Sequence, residues 1–179
     1  NLFGKHILII IPKSQFCEEE LNGIRNIIEQ GGANVVVLSK SGQEARGMNK
    51  EKFKPDGMIV DWDKQVGVKN KYHAVILVGG KGAKKSLWDD SIVPQILTDH
   101  YRFGSIIGAM GTAIVVLVRA YLVTGEVPTP EDDATYKELQ NLNAVFVDAP
   151  IKRIEKVVLG KGGNSVDQFS RTIVALLEE

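Results

Sequence analysis

Ser105-Ile106-Ile107-Gly108-Ala109-Met110-Gly111-Thr112-Ala113 is an apolar run that passes without a linker into small residues. It reads as a buried strand turning directly into the start of a helix, the layout of a nucleophile elbow. In such an elbow one residue is lifted above the sheet while backbone N–H groups point at the same spot. The turn is read here at Gly108, which has no side chain to present.

Outward from this stretch the chain alternates strands and helices. His6 to Ile11 is a β-branched run with apolar residues at consecutive positions, as expected of a strand covered on both faces. A helix follows from about Glu18 to Gln30, with Leu21, Ile24, Ile27 and Ile28 on one face and Gly31-Gly32 closing it. Asn34 to Leu38 and Tyr72 to Val78 read as further buried strands, with Gly57 to Val60 as a short edge strand. Ser91 to Tyr101 and Gly111 to Tyr121 read as helices. Thr124 to Asn143 reads as a turn-rich acidic interruption. Ala144 to Asp148 and Lys156 to Leu159 are late strands. A glycine-rich loop, Gly160 to Asn164, leads to a last helix with Ser165 as its N-cap. The alternation predicts an α/β fold: a flavodoxin-like, doubly wound, mostly parallel sheet sandwiched by helices, with residues 1–179 as a single domain.

Composition narrows the function classes. Of 179 residues, 22 are basic and 22 acidic, so no overall field favours nucleic acid or an anionic membrane. The longest apolar stretch, Ala113 to Val118, falls short of the ~20 residues that cross a bilayer. A single cysteine, Cys17, excludes an intrachain disulfide and fits a reducing, cytoplasmic setting. His6, His73 and His100 lack spaced ligand partners, so no metal is expected. His6 and His73 read as strand histidines, and His100 as a helix-end cation. Gly79-Gly80-Lys81-Gly82 lacks the spacing of a P-loop, and no cofactor is expected. Its turn N–H groups and nearby lysines are read as able to attract a small anion. Ser86, Ser105 and Thr112 carry hydroxyls without a neighbouring base, and Thr112 reads as a helix-interior residue.

In a doubly wound sheet, ligands bind beyond the carboxyl ends of the strands. Three loops are expected to meet there: Lys13 to Glu20, Gly79 to Gly82, and the elbow. Their residues resemble a known family. Phe16-Cys17-Glu18-Glu19-Glu20-Leu21, Val75-Ile76-Leu77-Val78-Gly79-Gly80, Ile107 to Ala113, and Gly160 to Ser165 followed by Phe169 are similar, in order and spacing, to motifs of the ThiJ/PfpI (DJ-one) family. The resemblance implies a flavodoxin-like sandwich, usually a homodimer, with a low-pKa cysteine on the elbow beside a glutamate of the first helix. Carried over, that glutamate is Glu20, the oxyanion-site glycine is Gly80 or Gly79, and the cysteine falls on Gly108, followed by Ala109. The family's histidine after the elbow helix has no counterpart in Val123 to Pro128.

The expectation is therefore a degenerate nucleophile elbow in a protein with a non-catalytic small-molecule-binding, regulatory or assembly role. Nucleophilic catalysis needs a hydroxyl, thiol, amine or carboxylate at that point. The ligand-binding set is Glu20, Gly79, Gly80, Gly108 and Ala109, and the occupant is a small anionic or carbonyl compound. The alternative is a cysteine-dependent hydrolase or glyoxalase-like enzyme using Cys17 with Glu20, since a thiol at a helix N-terminus ionises more readily. A glutamine-amidotransferase-like subunit is a third reading, opposed by the missing cysteine and histidine.

Overall fold

A computed structural model describes all 179 residues. In chain order the elements are β1 (His6–Ile10), α1 (Glu18–Gln30), β2 (Asn34–Ser39), β3 (Ala45–Arg46), β4 (Lys52–Phe53), β5 (Gly57–Met58), β6 (Ala74–Leu77), α2 (Ala83–Ser86) and α3 (Val93–Phe103). They continue with β7 (Ile106–Met110), α4 (Ile114–Arg119), β8 (Glu126–Pro128), α5 (Asp133–Asn141), β9 (Val145–Val147), β10 (Ile151–Ile154), β11 (Val157–Gly160) and α6 (Val166–Leu177). Short 3-10 turns cover Ile59–Lys64, Gly111–Ala113 and Gly163–Ser165.

Seven strands form one sheet in the order β10-β11-β7-β6-β1-β2-β5, parallel except for the antiparallel β10–β11 edge pair. The all-apolar runs of β1, β6 and β7 follow from having helices on both faces. Leu8 and Ile10 enter the core beneath α3 and α4, while Ile7 and Ile9 enter the one beneath α1 and α6. Burying each such side chain contributes about 1.5–3 kcal/mol. From β1 the chain lays β2 and β5 to one side, then returns to place β6, β7 and β11 on the other. The switch between β1 and β6 opens the crevice in which ligands of this architecture bind.

Three sequence expectations change. Thr124 to Asn143 is not all turn: it holds β8 and the nine-residue α5, whose N-cap Asp132 accepts the N–H of Thr135 at 2.8 Å. Ser165 does not cap α6. It has helical backbone, and its Oγ accepts Gly162 N–H at 2.9 Å, closing the glycine loop instead. His100 is not a helix-end cation. Fully buried, it bonds Ile96 O through Nδ1 and accepts Tyr72 N–H on Nε2, and burial lowers its pKa, so it is a neutral core residue. His73, by contrast, accepts the N–H of His6 on Nδ1 at 2.9 Å, and the two rings stack at the sheet margin. No helix is long and apolar enough to cross a membrane.

Candidate functional site

At the carboxyl ends of β1, β6 and β7 lies a cleft of about 380 Å³. The three expected loops meet there: Cys17 and Glu20 come from the first, Gly80 and Lys81 from the second, and Gly111 and Thr112 from the third. Further walls come from Met48 and Trp88, the approach to α5 (Pro130, Glu131 and Asp132) with Ala134 and Thr135 of its first turn, and the loop Lys161 to Gly163.

The elbow lies three residues beyond the position expected. Gly108 is the middle residue of β7, fully paired in the sheet and buried. Its missing side chain points into the core: a Cβ there would stand 2.8 Å from Phe169 Cζ and 3.3 Å from Ile173 Cδ1. Gly108 therefore makes room for α6, and neither it nor Ala109, buried beside it, reaches the cleft. The chain turns at Gly111, in the left-handed region with φ +53°. A Cβ at Gly111 would point into the cleft, 3.4 Å from Glu20 Oε2. An L-residue at such an angle costs about 1–3 kcal/mol, which glycine avoids.

Glu20 is the floor of the cleft. It sits in the first turn of α1 at 5% exposure, with Oε1 accepting Gly79 N–H at 2.7 Å. Burial pushes its carboxyl up to about 7, against the lowering effect of that N–H. The turn N–H groups read as an anion cradle are thus already committed. Gly79 N–H serves Glu20, and Gly80 N–H donates to Thr112 Oγ1 at 2.9 Å. Thr112 is accordingly a cleft residue that staples the elbow to the β6 loop, not a helix-interior one. Gly80, at φ +125°, passes so close to the α1 entry that a Cβ would sit 2.6 Å from Cys17 N.

Cys17 caps α1 and lines the same cleft. Its thiol is pushed up to about 12 by burial first and the Glu20 charge second. These outweigh the favourable position at a helix N-terminus. Ser86 and Ser105 are structural. Ser86 Oγ joins Lys13 N–H to Gly82 O, and Ser105 Oγ donates to Tyr72 O at 2.6 Å.

Family membership rests on the whole chain. The DJ-1/PfpI family pattern matches residues 5–176. The chain belongs to the DJ-1/PfpI family. A glutathione-independent glyoxalase, DJR-1.2 of Caenorhabditis elegans, is 27% identical over 181 residues, covering 97% of this chain and 89% of the relative. An uncharacterized protein of Methanocaldococcus jannaschii is 25% identical over 183 residues, covering 100% of this chain and 85% of that one. Among solved structures, a ThiJ/PfpI domain protein from Brachyspira murdochii superposes with TM-score 0.85 at 22% identity, covering 98% of this chain and 97% of that one. DJ-1beta of Drosophila melanogaster does so with TM-score 0.81 at 21% identity, covering 97% and 90%. These structures show the shared DJ-1/PfpI fold.

Several residues that line the cleft or brace its walls escaped sequence reasoning. Glu18, which the sequence reading gave no role of its own, is buried, and its Oε2 accepts the N–H groups of Asn49 (2.7 Å) and Glu51 (3.1 Å). That holds the β3–β4 turn so that Met48 walls the cleft, its sulfur 3.4 Å from Lys81 N. Trp88 is fixed by its indole N–H to Thr112 O at 2.8 Å and by Arg119 over its ring. Arg119 also bonds Glu138 of α5, tying that wall to the Trp88 wall. A glutamate-rich helix start hints at Glu18. Nothing local marks the others, which converge through long-range contacts.

Proposed function

We propose that this DJ-1/PfpI protein has a degenerate elbow, with Gly111 where a side-chain nucleophile would stand, and that its cleft binds a small anionic or carbonyl compound without covalent chemistry. The observation that carries this reading is Gly111 itself. It occupies the left-handed turn over Glu20, and a Cβ placed on it would aim at that carboxyl. Hydrogen offers no attacking atom, whereas the framework around it (the Gly79–Glu20 bond and the Gly80–Thr112 staple) is intact. The homodimer and the cytoplasmic setting expected from the sequence belong to the same proposal, and sedimentation equilibrium reads the first.

The test restores the missing atom. Gly111→Cys places a thiol beside Glu20, and turnover of methylglyoxal is expected to rise about tenfold or more over the parent. A peroxide-sensitive thiol should appear alongside the one of Cys17. Gly111→Ala serves as the control for backbone strain. Turnover already present in the parent, and abolished in Cys17→Ser, overturns the reading whether or not the variant folds.

That outcome would favour a second reading, a hydrolase or glyoxalase using Cys17 with Glu20. In its support, Cys17 lines the cleft beside Glu20, and the Caenorhabditis elegans relative is named a glyoxalase. Against it stands a thiol pushed up to about 12, which leaves little thiolate at neutral pH.

A further inference from the structure

The two oxygens of the Glu20 carboxyl are not equivalent. Oε1 accepts Gly79 N–H at 2.7 Å, and beyond that bond only the Cys17 thiol engages the carboxyl. Oε2 lies between Gly111 and Gly162 at the lining of the cleft, where a Cβ on either glycine would stand in contact with it at 3.4 Å. In the acid form the oxygen that accepts an N–H acts as the carbonyl, so the proton belongs on Oε2 and points into the cleft. The same cleft is lined by Lys81, Lys84 and Lys161, none of them in an ion pair within the protein.

Building on the non-covalent reading above, we propose that the occupant is a small monocarboxylate. Its carboxylate lies in the space above Gly111 and accepts a hydrogen bond from Oε2–H of Glu20, with the three lysines offsetting its charge. A hydrogen bond between a carboxylic acid and a carboxylate is charge-assisted and about twice as strong as a neutral one. A neutral amide of the same shape forgoes that gain and meets the lysines without a charge. The titratable groups acting on Glu20 or lining the same cleft are Cys17 at the α1 cap, Glu19 of α1, Lys81 and Lys84 of the β6 loop and α2, Lys161 after β11, and Glu131 and Asp132 ahead of α5. Asp132 is engaged with Thr135 N–H and Oγ1.

Binding to the acid form takes up a proton once Glu20, raised to about 7, has ionised. The dissociation constant should therefore be flat below that value and rise about tenfold per pH unit above it. Cys17, at about 12, keeps its proton across this window.

The experiment follows the backbone amide signals of Gly79, Gly111 and Gly162 by NMR between pH 6 and 8.5 at constant ionic strength. The probes are acetate, pyruvate and lactate, each paired with its amide: acetamide, pyruvamide and lactamide. The acids are expected to shift the three signals saturably with the stated pH slope, and the amides to bind about tenfold or more weakly. In Glu20→Gln the Gly79 N–H holds the amide oxygen and leaves the NH2 facing the cleft. Carboxylates should then bind with no pH slope. Equal binding of acids and amides, no saturable shift from any acid at pH 6, or the same slope in Glu20→Gln would overturn the proposal. Methylglyoxal turnover by the parent would overturn the non-covalent reading on its own, because the amide signals report binding and not chemistry.

Discussion

At Gly108 the space a side chain would take is filled by Phe169 of α6, whereas at Gly111 the same omission leaves space in the cleft. The two glycines lie three residues apart in one apolar run, and the sequence offers no local mark to tell them apart. What separates them is the length of β7. Ala109 and Met110 still pair with Leu159 and Gly160, so the strand cannot turn before Gly111. Their substitution effects should separate as cleanly. Gly108→Ala drives a methyl group against the Phe169 ring and is expected to cost about 1–3 kcal/mol. A fall in the urea midpoint at unchanged slope measures it. Gly108→Cys, by the same geometry, gains no accessible thiol.

Among the elements, α1 and α5 show how unevenly periodicity reports structure. The bounds of α1 are those expected, Glu18 to Gln30, because Leu21, Ile24 and Ile28 mark a buried stripe. Helix α5 buries only Thr135 and Leu139, too few apolar positions to show a period, and its acidic start resembles a solvated loop. Yet α5 supplies a wall of the cleft. The β3–β4 turn is a comparable case, since two-residue strands leave almost no pattern and the turn is held by Glu18. Glu18→Ala strips the acceptor from two N–H groups in a partly buried setting, at a cost of about 1–3 kcal/mol. Hydrogen exchange should then accelerate at Asn49 and Glu51 while β1 and β6 keep their protection. Unchanged exchange at those two amides would show that the turn is held by other contacts.

For the whole molecule, two buried groups give stability opposite dependences on pH. Glu20 has a carboxyl raised from 4.5 to about 7, so its contribution is fully present below pH 4.5 and lost as pH rises through about 7. The span of about 2.5 units corresponds to roughly 3 kcal/mol. His100 is lowered from 6.5 by burial, so its contribution is present above pH 6.5 and lost as pH falls. Thermal melts of the parent and Glu20→Gln from pH 4.5 to 8.5 separate them. The variant should gain on the parent as pH rises through the window and level off near pH 8, with the acid-side loss common to both. A constant difference between the two proteins would mean that Glu20 does not titrate in the folded state.

The sequence by itself determined the sandwich, the run of strands buried on both faces, the place of the crevice and, through the family resemblance of its motifs, the presence of Glu20 there with Cys17 nearby. Apolar periodicity and chain-order alternation are local properties, and they survive without coordinates. Which glycine forms the turn, which N–H groups are already occupied, and which walls complete the cleft were decided only by tertiary structure. Each depends on strand register or on a partner distant in sequence: Gly79 with Glu20, Gly80 with Thr112, Phe169 with Gly108. A spacing rule within one segment carries no information about such pairs.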